Sequence, residues 1–187
     1  MAYKHLTDRV EIRLAGEGGQ GMILAGIILA EAAAIYDGKN AVQTQSYGPE
    51  ARGGASKSEV IIAKSEIDFP EVIDADVLVA LSQEACDKFA SNLKKNGMLI
   101  VDKEKVSRVP TTSAYKIPIS RMAMEITGKQ ITANVVALGL LVGLTGVVSK
   151  KSIEKAVVGR APKGTEEMNR LALKTGFQEA EKLLKTK

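Results

Sequence analysis

Apolar and polar positions change period several times along this chain. Val10, Ile12 and Leu14 alternate with Glu11 and Arg13, and this period of two predicts a strand over Val10–Ala15. A glycine-rich turn, Gly16–Gly21, follows it. Met22–Ile35 is rich in Ala, Leu and Ile and predicts a buried helix, which Asp37-Gly38-Lys39-Asn40 ends, with Gly38 suited to a positive φ. Ala41–Ser46 is the next strand. Tyr47–Gly54 contains Gly48-Pro49 and Gly53-Gly54, breakers that exclude regular structure. Ser56–Ala63 resumes a strand centred on Val60, Ile61 and Ile62.

Val77–Leu81 is a short continuous apolar run, the pattern of a parallel strand covered on both faces. Ser82 caps a helix predicted to reach about Lys95 and to stop at Gly97. Met98–Val101 is a further buried strand, closed by Asp102. Ala114–Ile119 is a weaker strand because of Pro118, and Ser120–Thr127 a short helix. Beyond it the chain reads as helical over Thr132–Leu144, Ser149–Val158 and Thr165 to about Leu184. Thr165 is placed as an N-cap, with Glu166 and Glu167 in the first turn, where carboxylates suit the helix dipole. Strands alternating with helices predict an α/β fold: one domain over residues 1–187, a mainly parallel sheet with flanking helices, and a helical C-terminal third.

Ile131–Val148 mimics a membrane span in length. Gly139, Gly143 and Gly146 interrupt it and no aromatic anchors flank it, so a buried helix with a close-packing face is the better reading. Gly139 and Gly143 form the small-x-x-x-small spacing that lets helices approach closely.

Composition narrows the chemistry. The chain has 187 residues, 45% hydrophobic and 26% charged, with a net charge of +4, so it buries a core and is not disordered. Trp is absent and aromatics are 4%, which leaves no stacking platform for single-stranded nucleic acid. One cysteine, Cys86, and one histidine, His5, exclude an internal disulfide and an iron–sulfur cluster of the chain's own, and all but exclude a Cys/His zinc site. A lone cysteine and a start without an apolar leader point to the cytoplasm. Cys86 reads as a buried inert thiol, His5 as part of an exposed N-terminal arm. Asn134 either caps its helix or bonds across an interface.

Gly16-Glu17-Gly18-Gly19-Gln20-Gly21 matches G-x-G-x-x-G between a strand and a helix. Glycines let the backbone approach a ligand, and a helix N-terminus offers N–H groups to an anion. A dinucleotide site also needs a carboxylate at the end of the second strand. That strand ends Gln43-Thr44-Gln45-Ser46, and Asp37 lies in the turn before it. Three readings stay open: a bare tight turn, a site for a phosphate or other anion, and a true dinucleotide site.

The second unusual stretch, Ser46–Ser56, sets Tyr47, Glu50 and Arg52 among Gly48, Pro49, Gly53 and Gly54. In a parallel sheet it lies at the carboxyl edge, beside the glycine turn. Arg52 can clamp a carboxylate or phosphate through two parallel hydrogen bonds. Glu50 can instead neutralise Arg52 locally.

Gly16–Gly21 followed by Gln45-Ser46-Tyr47-Gly48-Pro49-Glu50-Ala51-Arg52-Gly53-Gly54 resembles the gamma subunit of 2-oxoacid:ferredoxin (acceptor) oxidoreductases. The similarity continues through Asp74–Leu81 and the Asn134–Gly143 helix, and the wording of the second motif is closer to the 2-oxoglutarate type. The resemblance implies a multi-subunit enzyme that decarboxylates a 2-oxoacid, passes electrons to ferredoxin and delivers the acyl group to coenzyme A. It places thiamine diphosphate, magnesium and the iron–sulfur clusters on alpha, beta and ferredoxin-like partner subunits. This chain then binds none of these alone, holds no catalytic residue or metal, and serves assembly and coenzyme A access. The binding residues expected for that role are Gly16, Gly18, Gly19, Gln20, Gly21, Tyr47, Glu50, Arg52, Gly53 and Gly54. A homodimer of the isolated chain is left open, and no nucleic acid or membrane is expected as a partner. The alternative is an independent nucleotide-binding reductase of Rossmann-like type.

Overall fold

The structure, a computed structural model, describes residues 8–46, 54–110 and 113–186. Its strands are β1 (Arg9–Glu17), β2 (Asn40–Ser46), β3 (Ala55–Ala63), β4 (Ala75–Ala80), β5 (Leu93–Asp102) and β6 (Tyr115–Ile117). They form a six-stranded sheet in the order β2-β3-β1-β4-β5-β6. β1, β4, β5 and β6 pair in parallel, whereas β3 is antiparallel to both β1 and β2. The α/β reading therefore holds, with β3 as the reversed member. A run such as Val60-Ile61-Ile62 carries no mark of direction, because a strand buried on both faces is apolar whichever way it runs.

The helices are α1 (Met22–Glu31), α2 (Gln83–Phe89), α3 (Ile119–Thr127), α4 (Ala133–Thr145), α5 (Lys150–Arg160) and α6 (Glu166–Lys185). α1 runs on into a π-helical turn, Ala32–Tyr36. α2 is shorter than its sequence predicts: it gives way to a 3-10 turn at Ala90–Asn92, and β5 begins at Leu93. Gly97 lies inside β5 and stops no helix. Lys94, polar and strong in helix propensity, is drawn into the strand by Asp76 and Glu11 on neighbouring β4 and β1, which its ammonium meets at 3.0 and 3.3 Å. This is tertiary context overriding local preference.

One face of the sheet carries the main core. Val10, Ile12, Leu14, Val60, Val77, Val79 and Ile100 pack there against α1, α3, α4, α5 and α6. α1 lies close on β3 because Gly26 leaves room: a Cβ there would sit 2.0 Å from Ser58 Oγ. The opposite face carries α2 over a smaller cluster that includes Ala15, Leu78, Cys86, Phe89 and Val101.

α4 is the segment that mimicked a membrane span. It is buried nearly all round, between the sheet and α6. Among the described residues no helix is long and apolar enough to cross a membrane. Its glycines have the predicted use: a Cβ on Gly139 would sit 2.3 Å from Leu173 O, and one on Gly143 would sit 2.5 Å from Ala180 Cβ. Ser149 caps α5 through Ser152 N at 3.1 Å. Thr165 precedes α6 as expected but makes no side-chain cap; its hydroxyl bonds Pro162 O at 2.7 Å instead.

Candidate functional site at the carboxyl edge of the sheet

β1 ends at Glu17, and the turn that follows is braced by its own glutamine. Gln20 Oε1 accepts from Glu17 N at 2.8 Å, and Gln20 Nε2 donates to Leu81 O at 3.1 Å. That arrangement requires Gly16, where a Cβ would lie 2.3 Å from Gln20 Oε1. Gly19 and Gly21 take the left-handed conformation, at φ 92° and 72°. Gly21 is the N-cap position of α1, and Asn134 Nδ2 donates to its carbonyl at 3.1 Å. Asn134 Oδ1 accepts from Val135 N at 2.8 Å, so its polar groups serve the junction of α1 and α4.

Gly18 and Gly19 face open space. α1 has neither a side-chain cap nor an acidic residue in its first turn. Its N-terminal N–H groups therefore keep their partial positive charge toward the turn. Beside them lies a cleft of about 250 Å³, lined by Glu17, Gly19, Gln20, Lys105, Ser120 and Ile131 among others. Glu17 and Lys105 are its two charged lining residues.

The second motif begins and ends at this edge. Ser46, the last residue of β2, pairs with Lys57, and Ala55, the first of β3, pairs with Glu17. Gly54 enters β3 at φ 81°. Ser56 Oγ donates to Gly16 O at 3.1 Å, which ties the start of β3 to the glycine turn. The expected neighbourhood of the two motifs is thus present at their ends, though a β-hairpin produces it rather than parallel neighbours. Tyr47, Glu50, Arg52 and Gly53 lie outside the described residues, as does His5.

Three further side chains build the edge. Glu84, at the start of α2, accepts from Ala55 N at 3.0 Å and so anchors the return of the hairpin. Gln83 Oε1 accepts from Ser107 N and Arg108 N at 2.9 and 3.1 Å, fastening the loop after β5. Asp102 is fully buried; its carboxylate accepts from Glu104 N at 3.1 Å and from Ser120 N, at the start of α3, at 2.9 Å. Sequence reading saw the Ser82-Gln83-Glu84 helix start but not what it holds, because the partners lie 24 to 29 residues away.

The described residues bring together no group of three His, Cys, Asp or Glu that would hold a metal. Cys86 lies on the buried face of α2, and burial, with Asp87 beside it, raises its pKa. A thiol so placed is a poor nucleophile and a poor cluster ligand.

A strand–glycine turn–helix unit at the carboxyl edge, beside the hairpin that enters through Gly54, defines an α/β module with an uncapped helix start at that edge. The chain belongs to the pyruvate ferredoxin/flavodoxin oxidoreductase family, which it matches over residues 11–179. It is 56% identical to the 2-oxoglutarate synthase subunit KorC of Methanocaldococcus jannaschii, covering 98% of this chain and all of that one. Among solved structures it is similar to the gamma subunit of a keto/oxoacid ferredoxin oxidoreductase from Geobacter sulfurreducens: TM-score 0.85, 52% identity, 93% of this chain and 97% of that one. It also matches 2-oxoglutarate:ferredoxin oxidoreductase from Magnetococcus marinus, a structure with 2-oxoglutarate, coenzyme A and succinyl-CoA bound. There the TM-score is 0.83 and the identity 25%, over 95% of this chain and 32% of that longer one.

Proposed function

We propose that this chain, as one domain over residues 1–187, is the gamma subunit of a 2-oxoglutarate:ferredoxin oxidoreductase. The complex converts 2-oxoglutarate and coenzyme A to succinyl-CoA and CO2. The carboxylate leaves as CO2, the remaining acyl group passes to the coenzyme A sulfur with loss of the thiol proton, and two electrons go to ferredoxin. The reading assigns thiamine diphosphate, magnesium and the iron–sulfur clusters to alpha, beta and ferredoxin-like partners; in support, the described residues hold no group of three metal donors and the sequence has a single cysteine. The reading has the complex working in the cytoplasm.

Within that complex this chain receives the phosphate end of coenzyme A and helps to close the active site. The observation that carries this is the meeting of the glycine turn, the uncapped start of α1, and Ser46 and Gly54, the described residues on either side of Tyr47–Gly53, at one sheet edge. The N–H groups of Gly18, Gly19 and Gly21 supply neutral donors, while that of Gln20 is taken by Glu17 O at 3.2 Å. Glu17 opposes an anion, so the positive charge must come from Lys105 and Arg52. In the assembled enzyme, Arg52→Ala should raise the apparent KM for coenzyme A about ten- to a hundredfold, the loss of a hydrogen bond to a charged group worth about 1.5–3 kcal/mol. The KM for 2-oxoglutarate should change far less. Arg52→Lys should rescue only in part, because an ammonium lacks the bidentate fork. Lost assembly on gel filtration, with normal coenzyme A kinetics in the surviving complex, would instead make Arg52 an interface residue.

The independent Rossmann-like reductase draws no support from the fold. β2, which should carry the ribose carboxylate beside β1, is separated from it by the reversed strand β3.

A further inference from the structure

A second cavity, of about 290 Å³, lies behind the glycine turn where α1, α4, α5 and α6 converge. Its walls include Ile28, Val135, Val157 and Met168, and Leu24 and Ile131 form part of its rim. Ile28, Val135 and Val157 are fixed in the main core, whereas Leu24 and Ile131 are 40% and 56% exposed. Ile131 also lines the cleft at the glycine turn, so it is the partition between two separate spaces.

The cavity cannot easily collapse. The corner between α5 and α6 is rigid: Pro162 O accepts from Thr165 N and Oγ1 at 2.9 and 2.7 Å, and Asn169 Nδ2 donates to Thr165 O at 2.9 Å. An apolar hollow that its frame holds open sacrifices the packing that filling would restore. Its volume is near the lower end of small-ligand sites, about 300 Å³.

Charge selects the ligand class. The two charged residues of the lining are both cationic, Lys129 and Arg160. Arg160 is oriented by an ion pair with Glu31. The Lys129 ammonium has no hydrogen bond or ion pair among the described residues.

We propose that this cavity is a binding site for a small aliphatic monocarboxylate. The branched or linear chain lies against Ile28, Val135, Val157 and Met168, and the carboxylate meets Lys129 at the mouth. The site is distinct from the coenzyme A reading and does not depend on it, because Ile131 divides the two spaces.

The test titrates the full chain with 4-methylpentanoate and, in parallel, with 4-methylpentan-1-ol, observing the methyl resonance of Met168. Wild type should saturate with the acid at about 1 mM, the order expected for roughly eight non-hydrogen atoms in a small pocket. Lys129→Met should weaken the acid about tenfold and leave the alcohol unchanged. Ala161→Phe, which fills the cavity, should abolish saturation by both; if that variant does not fold, Met168→Trp replaces it, followed through the Val135 methyls. Absence of saturation by the acid up to about 20 mM, or wild-type affinity in the filled variant, would overturn the proposal. So would an equal loss of acid and alcohol in Lys129→Met. A wild-type chain that binds neither probe, paired with an Ala161→Phe chain that no longer assembles with its partner subunits, would assign the cavity to a partner's side chain and refute the ligand.

Discussion

Asp37 shows how much one side chain can join. It sits just after the π-helical turn, and its carboxylate accepts from Ser149 N at 2.7 Å and Ser152 Oγ at 2.5 Å, so it fastens the end of the α1 segment to the start of α5. Burial pulls its pKa upward, but hydrogen bonds from Ser152 and Ser149, and Lys39 nearby, outweigh this and hold it below the ordinary carboxylate value. A carboxyl with a depressed folded-state pKa stabilises the fold above its unfolded pKa of about 3.9, and that contribution fades as pH falls through the lower folded value. Asp37→Ala should therefore cost about 1–3 kcal/mol at pH 7 in urea denaturation. The gap to wild type should narrow below about pH 4; a gap that widened in acid would contradict this account.

Arg13 carries a different lesson. Its alternation with Ile12 and Leu14 marks a polar face, yet it is 3% exposed beneath Phe89, whose ring centroid is 5.5 Å from the guanidinium carbon. Glu59 pairs with it at 2.6 Å and Val72 O accepts from it at 2.8 Å, while Nη1 has no hydrogen-bond partner among the described residues. Periodicity assigned the right face of the strand. It could not show that α2 and the segment after β3 would cover that face.

At the element scale, α4 and α6 pack closely, and glycines make the approach possible. A Cβ on Gly176 would lie 2.2 Å from Val136 O and 2.7 Å from Leu140 N. Both are backbone atoms of α4 and can yield only if the helices separate. Gly176→Ala should gain about 1 kcal/mol of helix propensity and lose more than that to overpacking, which costs about 1–3 kcal/mol and occasionally exceeds it. The net expectation is a lower midpoint in chemical denaturation. A stabilised Gly176→Ala would mean that the helices separate at little cost. The sequence of α4 shows small residues at the right spacing; that the partner is α6 of the same chain is a fact of tertiary structure.

For the molecule as a whole, the site reading makes this chain necessary but not sufficient. Purified alone and supplied with thiamine diphosphate, coenzyme A and 2-oxoglutarate, it should reduce no dye. Added to the alpha, beta and ferredoxin-like subunits that the proposed function calls for, it should restore turnover. It should also show no micromolar isotherm with NAD or NADP in calorimetry, since the strand that would hold the ribose is displaced by β3. Turnover by the isolated chain would remove the accessory role, and a micromolar isotherm would revive the reductase.

Local chemistry was enough for the order and type of most elements, the glycine turn, the cap at Ser82, the buried helix at α4 and the resemblance to the oxidoreductase gamma subunits. Each depends on interactions within a few residues: a period, a breaker, a backbone angle that only glycine tolerates, or a short motif. The direction of β3, the length of α2, the burial of Arg13 and the roles of Glu84, Asp102 and Asn134 depend on partners far along the chain, up to 113 residues away for Asn134 and Gly21. Such pairs are chosen by which faces the folded sheet and helices bring together, and no local pattern records that choice.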